Sequence, residues 1–352
     1  KVAVTIKDIA KIVGVSPGTV DRAIHNRGRI KREIAERILK AADDLHYKPN
    51  KFAKSLSNKR KQFKIVFIQH VINNPFIEML RAGIQKATDE FFPAGISLIV
   101  KPCKDFDSKA QLALLHEAVE VDNADGIILL PINDPNIAAY VTQLSNDGFP
   151  VILLTSFIDA EYSAFVGCNY RYSGHIASGL ISIVTGGSGN ILVFEPNQIM
   201  KGNQIRLSSM IELLHAQSPV LNIADVIELP SDDIEAYLRC KEVFAEQMSI
   251  SCVIYSSGAS SGRLKTVLEE QEKFQFKVIT YDLSDIVKKG LLENSIVFSI
   301  FQNPQAQGYL SMQLISEYLL LGKKPSRKLN YINASILIKE SLEDIENQFL
   351  RC

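Results

Sequence analysis

The feature that most constrains this chain is the run of residues 5–24, TIKDIAKIVGVSPGTVDRAI, which reads as two short helices around a tight turn. Thr5 is placed to cap the first helix, with Asp8 three residues on as the acidic half of a capping box. Ile6, Ile9, Ala10 and Val13 form an apolar stripe at helical spacing. Gly14 stops the helix, because glycine alone takes a left-handed conformation there without steric cost. Ser16 then serves as N-cap and Pro17 as first residue of the second helix, where a missing N–H does no harm. Asn26 and Gly28 end it. A third helix is expected over 31–46, with Ile34, Ile38, Ala41, Ala42 and Leu45 facing inward. Two helices joined by a turn of about four residues and backed by a third make a helix-turn-helix unit.

Charge divides the chain at the same place. Residues 1–61 hold 16 Lys and Arg against 6 Asp and Glu, a net charge of +10. The whole chain holds 39 of each, so the remaining residues carry −10. A basic helical head of this kind can displace counterions from a phosphate backbone, the largest contribution to DNA affinity.

The head resembles the headpiece of the LacI/GalR family of bacterial transcription regulators. The matching residues are Thr5-Ile6-Lys7-Asp8-Ile9-Ala10, Gly14-Val15-Ser16, Thr19-Val20, Arg22 and Tyr47-Lys48-Pro49-Asn50, followed by Ala53 and Leu56. The resemblance implies a second helix lying in the major groove of double-stranded DNA. Pro17, Gly18 and Arg22 would then face base edges, and Thr5, Ser16, Thr19 and Asn26 would reach phosphates. It also implies that residues 49–56, with Asn50, Ala53 and Leu56, form a hinge helix that orders when two copies meet on DNA, Leu56 wedging a minor-groove step. Asp21 departs from the family, where a serine is usual. It can pair with Arg22 or Arg27, or accept from a cytosine.

Beyond residue 61 the texture changes to alternating apolar strands and amphipathic helices. Strands are expected at 64–68, 96–100, 126–132 and 150–155, with helices at 75–91, 108–120 and 135–146 between them. The pattern then restarts with strands at 165–167, 190–194, 225–229, 252–256, 277–281 and 295–301. Near-continuous Ile/Val/Leu runs mark parallel strands buried on both faces. Repeated βα units with short connections make doubly wound sheets. The expected fold is an all-α helix-turn-helix headpiece followed by two α/β doubly wound parallel-sheet lobes with a ligand cleft between them. The expected division is 1–48 for the headpiece, 49–62 for the hinge and linker, and 63–352 for the body. Within the body, lobe 1 is expected at 63–163 plus 286–323 and lobe 2 at 164–285 plus 324–352.

In open parallel sheets ligands sit beyond the carboxyl ends of the strands. Reading those positions gives Asn74, Phe76, Asn133, Asp134, Ser156 and Phe157 in the first lobe, and Asn169, Arg206, Ser256, Ser257, Asp282 and Gln302 in the second. Paired hydrogen-bonding groups with aromatic faces suit a small polyol. The body resembles sugar-binding proteins of the ribose/galactose type through Asn74-Pro75-Phe76, Pro131-Ile132-Asn133-Asp134, Pro150-Val151-Ile152, Tyr281-Asp282 and Gln302. That resemblance implies that Asn74, Asp134, Arg206, Asp282 and Gln302 hydrogen-bond a sugar or sugar derivative while Phe76 stacks on it. The chain departs from the ribose type at Thr155-Ser156, Cys168-Asn169 and Ser257-Gly258. Residues 257–262 follow a strand and open a helix, and could hold an anion, but lack a P-loop lysine. Residues 186–189, Gly-Gly-Ser-Gly, follow a helix and precede a strand, the order of a tight turn. His70 follows the first strand and could face a ligand.

Five scattered cysteines without C-x-x-C spacing read as thiols in a reducing compartment. No apolar run reaches the roughly 18 residues of a membrane span, and no signal peptide precedes the head. No catalytic signature stands out, and no cofactor or metal is expected. The expected function is a cytoplasmic, homodimeric repressor of a pseudo-palindromic operator, controlled by a carbohydrate-like effector. A solute-binding protein for transport and an enzyme acting on a sugar or nucleotide are the rival classes. Residues 340–352 show no sustained heptad, so a tetramer-forming tail is not expected.

Overall fold

The structure is a computed structural model that describes residues 6–24, 27–28, 30–45, 61–70, 74–104, 106–195, 200–230, 232–246, 249–256, 261–343 and 345. The chain divides into two compact units, Lys1–Arg60 and Lys61–Cys352.

In the first unit, α1 (Ile6–Val13), α2 (Pro17–Ile24) and α3 (Arg32–Asp44) enclose a small core. Ile9, Ala10, Val13, Val20, Ala23, Ile38 and Ala42 are buried in it, and Ile34, Ala41 and Leu45 pack at its edge. Gly14 takes φ +74°, and the N–H groups of Gly14 and Val15 both close on the Ala10 carbonyl. Ser16 caps α2, its Oγ accepting from Thr19 N at 3.2 Å and lying 2.8 Å from Thr19 Oγ1. Arg37 of α3 donates to Val13 O at 3.1 Å and ties the third helix to the end of the first. The expectations for Thr5, Asn26, Asn50, Ala53 and Leu56 lie outside the described residues.

The second unit holds two six-stranded sheets. The strands are β1 (Phe63–His70), β2 (Ile96–Cys103), β3 (Gly126–Leu129), β4 (Val151–Leu154), β5 (Ala164–Cys168), β6 (Gly189–Glu195), β7 (Leu221–Glu228), β8 (Cys252–Tyr255), β9 (Lys277–Tyr281), β10 (Phe298–Phe301), β11 (Leu329–Ile332) and β12 (Ser335–Leu337). The helices are α4 (Pro75–Phe91), α5 (Ser108–Glu120), α6 (Pro135–Asn146), α7 (Tyr170–Thr185), α8 (Lys201–Gln217), α9 (Asp233–Glu246), α10 (Ser261–Phe274), α11 (Asp285–Leu292) and α12 (Pro304–Leu321). Sheet 1 runs β11-β5-β4-β3-β1-β2, all parallel. Sheet 2 runs β12-β10-β9-β8-β6-β7, parallel except for β12. Residues of β3 and β4 are buried throughout, as strands covered by helices on both faces must be.

The lobe boundaries differ from those expected. The strand at 165–167 does not begin lobe 2: β5 pairs with β4, and Phe165 sits in the lobe 1 core edge-on to Phe157 at 5.4 Å. The segment expected to return to lobe 1 from residue 286 does so later, because α11 packs on the second core and β10 pairs with β9. The tail beyond 323 splits, β11 joining sheet 1 and β12 joining sheet 2. Which sheet a strand of three to five residues enters is decided by non-local pairing, which hydrophobic pattern does not encode. The chain therefore crosses between lobes at Asn169, at Gln302-Asn303 and at Asn333-Ala334.

Helix α12 returns across α4 at very close range. A Cβ built on Gly83 would lie 2.0 Å from Gln305 O, and one on Gly308 would lie 2.1 Å from Leu80 O. The absence of side chains at both positions lets the two backbones touch.

Candidate functional site

The carboxyl ends of β1, β3 and β4 are neighbours in sheet 1, and the sequence candidates lie on the loops that leave them. Asn74 and Asp134 are helix caps. Asn74 Oδ1 accepts from Phe76 N at 2.8 Å, and Asp134 Oδ1 accepts from Asn136 N at 2.8 Å and Ile137 N at 3.4 Å. Burial works to raise the Asp134 pKa, but the bonds from Asn136, Ser108 and Ile137 outweigh it and hold the carboxyl below its ordinary value. Phe76 is half-buried at the first turn of α4. Ser156 is buried, and Phe157 is half-buried beside the Lys201 ammonium at 5.7 Å. Thr155 holds φ +59°, a strained conformation for a β-branched residue, at the carboxyl end of β4.

Two buried polar side chains shape this edge of lobe 1. Gln111 donates to Leu130 O at 3.0 Å and accepts from Ile132 N at 2.8 Å, fixing the loop that carries Asp134. His70 lies against Phe106, ring centroids 4.4 Å apart and tilted by 34°, and neither of its ring nitrogens has a partner among the described residues. Burial lowers its pKa to about 4, so the ring is neutral at physiological pH.

In lobe 2 the structure gathers Arg206, Asp282 and Gln302 into one buried cluster. Helix α7 approaches α8 so closely that a Cβ on Gly174 would meet Arg206 O and Ser209 Oγ, each at 2.3 Å. This seats the Arg206 backbone against α7. Its guanidinium lies over the Tyr281 ring at 4.0 Å and donates through Nη2 to Ser256 O at 2.7 Å and Asn203 Oδ1 at 3.1 Å. Asp282 follows β9 at φ +62°, a conformation that Asp tolerates. Its carboxylate accepts from Gln302 Nε2 at 3.1 and 2.9 Å and from Gln302 N at 3.3 Å. Gln302 O in turn accepts from Gln307 Nε2 at 2.8 Å, and Asn303 caps α12. The second crossing segment is thus bonded directly to the cluster.

Sequence reasoning missed Glu195, Tyr170, Asn203 and Ser284. Glu195 ends the otherwise apolar strand β6, and a charge at the carboxyl end of a buried strand is the signal that could have found it. It is 3% exposed, and burial pushes its carboxyl up to about 7 against the opposing pull of Arg206. Burial likewise raises Asp282 to about 6, opposed by Arg206 and by the Gln302 bonds. Tyr170 opens α7 and donates to Thr155 O, bridging the lobes at the first crossing. Lys201 bridges them again, to Asp159 at 2.7 Å. Cys168 is buried in the same region, its thiol raised by burial to about 11 and therefore protonated.

The cluster is polar, buried and unsaturated. Glu195 Oε2, Arg206 Nε and Ser284 Oγ are buried atoms with no hydrogen-bond partner among the described residues, whereas the Ser256 hydroxyl faces Glu195 and the Ser173 hydroxyl faces Cys168 and Tyr281. Leaving such groups unmet costs about 1–3 kcal/mol each, so a site holding several is built to receive hydrogen-bonding atoms from elsewhere. Two carboxyls beside one guanidinium favour a ligand that donates protons, as hydroxyls do. Ser257 lies outside the described residues, and residues 186–189 form the expected turn between α7 and β6. Among the described residues no group of three or more His, Cys, Asp or Glu could hold a metal, and no helix is long and apolar enough to cross a membrane.

Comparison with known proteins agrees with both halves of this geometry. Residues 65–324 match the periplasmic binding protein domain, and residues 5–50 match the bacterial regulatory proteins of the lacI family. The chain is 28% identical over 296 residues to the ribose operon repressor of Bacillus subtilis, covering 82% of this chain and 83% of the repressor. Among solved structures it resembles GanP, a glucose-galactose binding protein from Geobacillus stearothermophilus, with a TM-score of 0.71 at 16% identity, over 80% of this chain and 99% of that one. It also resembles an ABC transporter solute binding protein from Bacillus halodurans with bound myo-inositol, with a TM-score of 0.72 at 16% identity, over 83% of this chain and all of the other. The two parallel-sheet lobes are what the solved structures share with this one, and the chain belongs to the periplasmic-binding-protein family through its body and carries at its head the domain of the lacI family of bacterial regulatory proteins.

Proposed function

We propose that the chain is a repressor that binds a pseudo-palindromic operator as a homodimer in the cytoplasm, and that a small polyhydroxylated effector held between the lobes sets its DNA affinity. The observation that carries this reading is the unsaturated buried cluster around Arg206, Glu195 and Asp282, on a chain whose +10 head has the lacI-type sequence. Asn74, Phe76, Asp134 and Phe157 would close over the effector from lobe 1, and Arg206, Asp282 and Gln302 would grip it from lobe 2. The name of the B. subtilis relative and the sugar and inositol named in the structural neighbours support a carbohydrate or polyol. Gln302 offers a route for the signal, since it bonds Asp282 and lies on a segment crossing between lobes. An effector that binds one lobe arrangement better than the other shifts the population toward it, and that difference is the whole coupling energy.

Thermal unfolding of the full chain against pentoses, hexoses, sugar acids, sugar phosphates, inositols and nucleosides tests the sensor. A ligand at 100 times its Kd adds about 2.7 kcal/mol of stability. The expected result is a shift with one neutral polyhydroxy class, lost in Asp282→Ala. A shift confined to phosphorylated or acidic compounds would contradict the hydroxyl-donor reading.

A further inference from the structure

The exposed face of α2 is poor in hydrogen-bonding side chains. At about 100° per residue, Pro17, Asp21, Gly18 and Arg22 follow one another around an arc of roughly 140°. Val20 and Ala23 are buried on the other side. Pro17 and Gly18 bring no polar side chain, and a Cβ built on Gly18 would meet only Ser16 Oγ, at 3.9 Å. Asp21 and Arg22 are the two side chains of this arc that can bond a base edge. Arg22 is exposed, and its Nε donates to Gly18 O at 3.0 Å, a bond that uses neither terminal nitrogen. Asp21 sits within the arc, with Arg27 Nη1 3.8 Å from its Oδ2 and both side chains more than a third exposed. A long, exposed ion pair of that kind is weak.

We propose that Asp21 is a specificity-determining residue that accepts a hydrogen bond from the N4 amino group of a cytosine in each operator half-site, next to a guanine engaged by Arg22. This rests on the DNA-binding reading above. A carboxylate can only accept. In the major groove the base donors are cytosine N4 and adenine N6, and adenine places its N7 acceptor beside that donor, where it repels a carboxylate. Guanine and thymine present acceptors and are rejected outright. The same charge is repelled by phosphates, so Asp21 lowers affinity for DNA of any sequence while favouring one base.

The test is selection from duplexes randomised across a half-site, at one salt concentration, with the full-length chain, Asp21→Asn and Arg22→Ala. The wild-type chain is expected to select a cytosine and a nearby guanine. Asp21→Asn should lose the cytosine preference by about tenfold and keep the guanine, whereas Arg22→Ala should do the reverse. If Asp21→Asn tightens binding to every duplex alike and leaves the selected sequence unchanged, Asp21 acts as a bulk charge and the proposal is overturned. If the wild-type chain binds no duplex at all, the DNA-binding reading fails, and the proposal fails with it.

Discussion

Replacing Glu195 with Gln should change how the stability of the body depends on pH. Glu195 is fully enclosed, and its folded pKa of about 7 stands above an ordinary value of 4.5. Between those values the folded chain holds a proton that the unfolded chain has released. Stability therefore falls as pH rises through this window, at up to about 1.4 kcal/mol per pH unit, and is level above about pH 7. Integrated over 2.5 units the loss is about 3 kcal/mol. Asp282 adds a similar loss between 3.8 and about 6, but it is present in both proteins and cancels in their difference. Glutamine has nearly the same shape and no titration. Glu195→Gln should thus gain stability relative to the wild-type chain from pH 4.5 to 7 and then hold a constant difference. Urea unfolding followed by circular dichroism at half-unit intervals of pH reads this directly; the chain has no tryptophan to serve as a fluorescence probe. A difference between the two proteins that does not vary with pH would refute the claim that burial holds this carboxyl protonated.

Arg206→Leu removes the guanidinium that faces Glu195 and Asp282, and should cost about 3–5 kcal/mol in urea unfolding at pH 8 and less at pH 5, where both carboxyls are protonated. Gly308→Ala forces α12 away from the Leu80 carbonyl and should destabilise the body by about 1–3 kcal/mol, with the headpiece transition unchanged. Ser16→Ala removes the cap of α2 and should cost the headpiece about 1 kcal/mol, read as weaker helical signal on heating. Tyr170→Phe deletes an interlobe hydrogen bond, and should alter ligand affinity with a stability cost of about 1 kcal/mol or less.

Most of the elements were legible because each is written locally. Gly14, Ser16 and Pro17 specify the turn of the headpiece, and the helices that begin at Pro75 and Pro135 are each preceded by a capping Asn or Asp with proline at N1. The strand runs of sheet 1 are apolar because both faces are covered. What was not legible is what depends on distant pairing. The placement of β5, β10, β11 and β12 between the sheets follows from which edge is open when the chain arrives. Of the candidate site residues, Arg206, Asp282 and Gln302 do converge, whereas Asn74 and Asp134, read from the sequence as ligand-binding residues, serve as the N-caps of α4 and α6. Glu195 escaped because a single charge at a strand end resembles an ordinary polar boundary until its burial is known.

Coupling between the buried cluster and the basic head is what a ligand-controlled repressor requires. Its most direct test is the affinity of the full-length chain for an operator duplex, titrated with the compound that shifts its melting temperature. That compound is expected to change the duplex Kd by at least about fivefold, the lower end of ordinary allosteric coupling, and Asp282→Ala should abolish the change while keeping the ligand-free Kd. A compound that binds the body, loses affinity in Asp282→Ala, and leaves the duplex Kd where it was would contradict that coupling.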